Sequence, residues 1–158
     1  MCIRDRSISI EADENLIDLV EISNANNRLI VDFKDNVSIR QSTKFNVFIT
    51  FVDIDKLEVG GVGDVSVENS LHLKKLELEC NGVGDVNLVL DCNNLIVENS
   101  SVGDISLSGS ADYFDLSNSG VGDVMASSLI SEVTVVDNSG VGDVEVNTTQ
   151  SLSLIHIW

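Results

Sequence analysis

A Gly-Asp pair preceded by valine recurs five times: Gly63 and Asp64, Gly84 and Asp85, Gly103 and Asp104, Gly122 and Asp123, Gly142 and Asp143. The spacings are 21, 19, 19 and 20 residues. No other feature restricts the fold as tightly. A unit of this length cannot bury enough apolar surface to offset the chain entropy lost on ordering it, so the units must stack and share their hydrogen bonds. The sequences LEVGGVGDVSV, LELECNGVGDVNL, LIVENSSVGDISL, FDLSNSGVGDVMA and VTVVDNSGVGDVEV place the same residue types at the same phase in every copy.

Each unit reads as strand, tight turn, strand. Before the turn Leu57/Val59, Leu76/Leu78, Leu95/Val97, Phe114/Leu116 and Val133/Val135 alternate with other residues. After it Val65/Val67, Val86/Leu88, Ile105/Leu107, Val124/Ala126 and Val144/Val146 do the same. Period-two alternation buries one face of a strand, and the glycines between the strands mark a fixed corner. A hairpin sandwich would not require like residues at like phase. The expected fold is therefore all-β: a parallel β-helix, or β-solenoid, with coils of about 20 residues.

Composition agrees. Hydrophobic residues make up 43% of the 158, only 4% are aromatic and none is proline, so the core is aliphatic and suited to pleated surfaces. Residues 1–75 carry all nine Lys and Arg beside 13 acidic residues, and residues 76–158 carry 13 acidic residues and no Lys or Arg. A net charge of −17 repels phosphate backbones and anionic membranes, which argues against nucleic-acid binding. Cys2, Cys80 and Cys92 form no CxxC pair or zinc-type cluster and read as unpaired structural residues. No apolar run is long enough to cross a membrane as a helix, and no signal peptide is visible. The ends, MCIRDR and SLIHIW, fit neither the repeat nor each other; residues 1–6 and 153–158 read as non-native, adapter-derived tails.

Residues 7–56 lack the motif. SISIEA, RLIVDF and FNVFITF read as strands, DENLIDLVEI as mostly strand with weak helical spacing, and the segment as opening coils or a cap for the 57–152 repeat.

EADENLIDLVEI, RLIVDF and KFNVFITFVDIDKLEVGGVGDVSV together resemble the head GIN domain family of auto-transporter adhesins, over about residues 8–152. The family more often has Ser where this chain has Val62, Val83, Val102, Val121 and Val141, which makes the corner less polar. The resemblance implies a pectin-lyase-like β-helix without a recognised catalytic set, extracytoplasmic at the cell envelope or surface. It implies adhesion as the role, with a cell-surface or carbohydrate ligand.

Stacked coils would align the five aspartates in a column. Neighbouring carboxylates about 5 Å apart repel by about 0.8 kcal/mol in water. Turn N–H groups can offset that by donating to each Asp; a file of Ca²⁺ ions is the alternative, although the known calcium-binding repeat places Asp differently. Asn99, Asn118 and Asn138, followed by Ser100, Ser119 and Ser139, share one phase and read as structural ladders, with a sugar-binding strip as the alternative. No cofactor is expected. Catalysis has little support: His72 has no placed nucleophile, His156 lies in the suspect tail, and no basic residue follows Lys75 to serve a calcium-type lyase. A polysaccharide hydrolase or lyase using ladder carboxylates remains the alternative to a scaffold, and a calcium-dependent binding module is the third reading. The insert around His72, Lys74 and Lys75 reads as a solvated loop between the first two coils, with a local contact point as the alternative.

Overall fold

The computed structural model describes residues 7–12, 18–25, 28–33 and 45–156. The chain divides into two compact units, 1–52 and 53–158. In the first, β1 (Ser7–Ala12) pairs antiparallel with β4 (Phe45–Thr50), and β2 (Val20–Ala25) pairs antiparallel with β3 (Arg28–Phe33). SISIEA, RLIVDF and FNVFIT are thus strands. Asp18 and Leu19 form a turn leading into β2, while residues 13–17 lie outside the described residues.

The second unit is a β-solenoid of about five turns, marked by five corner valines bridged in parallel from coil to coil. Its strands are β5 (Lys56–Val59), β6 (Val65–Ser66), β7 (Leu71–Cys80), β8 (Val86–Asn99), β9 (Ile105–Asn118), β10 (Val124–Asn138) and β11 (Val144–His156). They stack in the order β11-β10-β9-β8-β7-β5, with β6 beside β8, and every pairing is parallel. Between β8 and β9 the register runs without a slip from Val86↔Ile105 to Asn99↔Asn118. One coil therefore lies directly over the next, and like residues meet in columns.

Within a coil the alternation shows how the chain turns. Along β8 Val86, Leu88, Leu90 and Cys92 point inward; then Asn93 and Asn94 are both exposed, and Leu95, Val97 and Asn99 point inward again. Two successive outward residues reset the phase, so β8 bends there without leaving its hydrogen-bond ladder. This second corner carries Lys74, Asn93, Asp112 and Glu132 in successive coils, and a strand–turn–strand reading of the repeat does not separate it. The glycine corner is laddered as well: Gly84 N–H donates to Val102 O at 2.9 Å and Gly103 N–H to Val121 O at 2.9 Å. Inside lies a hydrophobic cluster, aliphatic apart from Phe114, that includes Leu76, Leu78, Leu88, Leu95, Ile105 and Leu116.

Two expectations are corrected. In β10 the buried residues before the corner are Thr134 and Val136, not Val133 and Val135. VTVVDN supplies apolar residues on either phase, and the inward Asn138 selects one; a one-residue slip exchanges the faces of a strand. Thr134 tolerates burial because Thr148 Oγ1 donates to it at 2.7 Å and its own hydroxyl reaches Ser131, which in turn donates to Asn147 O at 3.1 Å. The insert is also displaced. Ser66 pairs with Asn87 and Leu71 with Leu90, so the two extra residues lie between Ser66 and Leu71. His72, Lys74 and Lys75 belong to β7 and not to a loop. The 20-residue spacing before Gly142 has a similar cause: β10 gains one residue on β9 between Met125 and Ser128.

Candidate functional site

The glycine corner builds two columns. Gly63, Gly84, Gly103, Gly122 and Gly142 have φ between 131° and 147°, which a side chain rarely adopts. Neighbouring coils also approach closely there: a Cβ on Gly103 would lie 2.3 Å from the carbonyl oxygen of Gly84. The chain then leaves the corner through Asp. Asp85 N–H donates to Asp64 Oδ1 at 3.0 Å, Asp104 N–H to Asp85 Oδ1 at 2.9 Å, Asp123 N–H to Asp104 Oδ1 at 2.8 Å and Asp143 N–H to Asp123 Oδ1 at 2.9 Å. The carboxylates of Asp64, Asp85, Asp104 and Asp123 thus clamp the backbone of the following coil. Charge-assisted bonds of this kind offset the repulsion along the column.

The asparagine column stands before the corner and inside it. Asn99, Asn118 and Asn138 are 3%, 1% and 5% exposed, so they face the core. Asn99 Nδ2 donates to Asn118 Oδ1 and Asn118 Nδ2 to Asn138 Oδ1, both at 2.8 Å. Each Oδ1 also accepts the N–H two residues on, from Ser101, Gly120 and Gly140 at 3.0, 3.3 and 3.2 Å. One side chain therefore shapes its own turn and ties it to the next coil. Below Asn99 the column position is taken by Cys80, whose thiol burial pushes up to about 11. Cys92 is likewise raised to about 11, by burial and then by Asp112 and Asp91. Neither is poised as a nucleophile.

Outside these columns the surface holds hydroxyls and carboxylates. Ser119 and Ser139 Oγ donate to the backbone oxygens of Asn99 and Asn118 at 3.1 and 3.3 Å, and Ser100 Oγ donates to Asn81 Oδ1 at 2.8 Å. A shallow open groove beside them is lined by Glu79, Asn81, Glu98, Asn99, Ser100, Ser117 and Ser119. Lys56 Nζ bridges Glu77 and Glu79 at 3.0 and 2.7 Å, an exposed arrangement that raises the lysine and lowers Glu77.

Sequence reasoning left His72 alone, but the stack gives it partners. His72 Nδ1 lies 3.2 Å from Asp91 Oδ2, and Ser110 Oγ donates to Asp91 Oδ1 at 2.8 Å. The residue types are those of a hydrolytic triad in the wrong order. A nucleophilic serine needs histidine as its immediate base; here aspartate stands between them and the histidine is exposed. Among the described residues no three His, Cys, Asp or Glu side chains are grouped to hold a metal ion.

Fold and corners define a parallel β-solenoid whose Gly-Asp and Asn columns fasten each coil to the next. Residues 4–155 match the family described as "Putative auto-transporter adhesin, head GIN domain", and the chain belongs to that family. The chain is also similar to a crystal structure of a putative adhesin from Bacteroides fragilis, with a TM-score of 0.85 and 25% identity, covering 94% of this chain and 79% of that one. No curated protein matches it.

Proposed function

We propose that the chain is a non-enzymatic scaffold and adhesion domain of the cell envelope, with the 57–152 repeat as its working part. The observation that carries this reading is where the repeated polar groups go. An Asp and, in the later coils, an Asn recur once per coil, and both are committed to bonds between coils. A group repeated in every coil and used in every coil serves the stack, whereas catalysis needs one constellation in one place. Family and solved relative both carry the word adhesin. The ligand class is a cell-surface or carbohydrate polymer, met by the exposed hydroxyls and carboxylates of the coil faces.

The test is a panel of neutral and acidic polysaccharides assayed for turnover beside a glycan array assayed for binding. Binding without cleavage supports the reading. Release of reducing ends or unsaturated products, lost in Asp→Asn corner variants that remain folded, would establish the enzyme instead.

A further inference from the structure

On the glycine corner a second column runs beside the aspartates. Val62, Val83, Val102, Val121 and Val141 are bridged to one another in parallel, so their side chains form one file along the stack. They are 89%, 49%, 50%, 50% and 68% exposed. A continuous apolar file left in water on a chain of net charge −17 calls for an occupant. Two residues further along each coil stands the Asp column, of which only Oδ1 of Asp64, Asp85, Asp104 and Asp123 is engaged by the next coil. Between the two lies a track of glycine with no side chain to fill it.

We propose that this corner docks an amphipathic α-helix of a partner protein, its aliphatic stripe on the valine file and an adjoining Lys/Arg row over the aspartates. Charge selects a cationic partner, since residues 76–158 contain no Lys or Arg and a second copy brings the same acidic surface. Spacing selects a helix. Coils repeat about every 4.8 Å along the stack, and a helix laid along it returns a side chain to one face about every 5.4 Å. A strand in the same direction would repeat about every 6.7 Å and lose register within two coils. Five valines span about 19 Å, which three to four helical turns cover.

The inference goes beyond the adhesion reading by naming a second surface and its partner class, and its test is separate. The full chain is titrated with a synthetic helical peptide of about 14 residues carrying a row of Leu beside a row of Lys. The controls are a scrambled peptide of equal charge and a peptide with Leu replaced by Ser. The expected result is binding that weakens at least tenfold with either control, weakens equally in a Val83→Ser, Val102→Ser, Val121→Ser chain, and falls with added salt. Equal affinity for the scrambled peptide, or no binding, overturns the proposal. So does self-association of the chain that the serine substitutions abolish, because the file would then be a contact between copies. The peptide controls decide the matter even if the substituted chain does not fold. Failure here leaves glycan binding without turnover untouched, so the two readings fall separately.

Discussion

At Gly103 φ is 141°, and a Cβ would meet the carbonyl oxygen of Gly84 at 2.3 Å. Gly103→Ala therefore combines backbone strain with a clash against a neighbouring coil that its own hydrogen bonds hold in place. The expected loss is on the order of 3 kcal/mol, read as a lowered midpoint in guanidinium unfolding; an unchanged midpoint would mean the corners are not stacked. The sequence made this column legible because glycine recurred at a fixed spacing. That Asn99, Asn118 and Asn138 are buried was harder to see, since polar residues are ordinarily assigned outward. Phase was the available signal: Asn99 continues the inward series Leu95, Val97. The cysteines give a pH-dependent expectation. Burial raises Cys80 and Cys92 from 9.0 to about 11, disfavouring the thiolate in the folded chain. That contribution to stability is fully present below pH 9 and is lost as pH rises towards 11. Alkylation mapped by mass spectrometry at neutral pH should find both thiols protected in the native chain and modified in denaturant, with the thiol contribution to thermal stability lost through the alkaline window.

A coil is the element on which the rest depends, and the Asp and Asn bonds at the corner join equivalent residues of successive coils. Removing residues 104–122 joins Gly103 to Asp123 and deletes one 19-residue repeat in phase. The shortened chain should keep its β-rich circular dichroism and cooperative unfolding at a lower melting temperature, as expected when stability sums over neighbouring repeats. Deleting half a coil should abolish folding, because inward residues would be set over outward ones. Equal tolerance of both deletions would contradict stacking in register. The elements were legible where alternation was clean, as in Val86/Leu88 and Ile105/Leu107. They were misread where it was ambiguous. Val133, Val135 and Val136 fit both phases, and only the corner beyond them decides. The second corner at Asn93 and Asp112 was overlooked because it carries no glycine, and the strand bends there through two consecutive outward residues.

Across the whole repeat unit, residues one spacing apart occupy the same place on successive levels. The exposed valine file offers a direct probe. Neighbouring levels are about 4.8 Å apart, within the Cα separation of roughly 4.4–6.8 Å that a disulfide spans, whereas alternate levels are about 9.6 Å apart and out of reach. The decisive measurement is the disulfide content of two double variants after mild oxidation, mapped by mass spectrometry on the monomer. Val102→Cys with Val121→Cys should close an intramolecular bridge, and Val83→Cys with Val121→Cys should not. A bridge between the two introduced cysteines of the second variant, or introduced cysteines left unbridged in the first, would contradict the stack; the buried Cys80 and Cys92 thiols stay free in both.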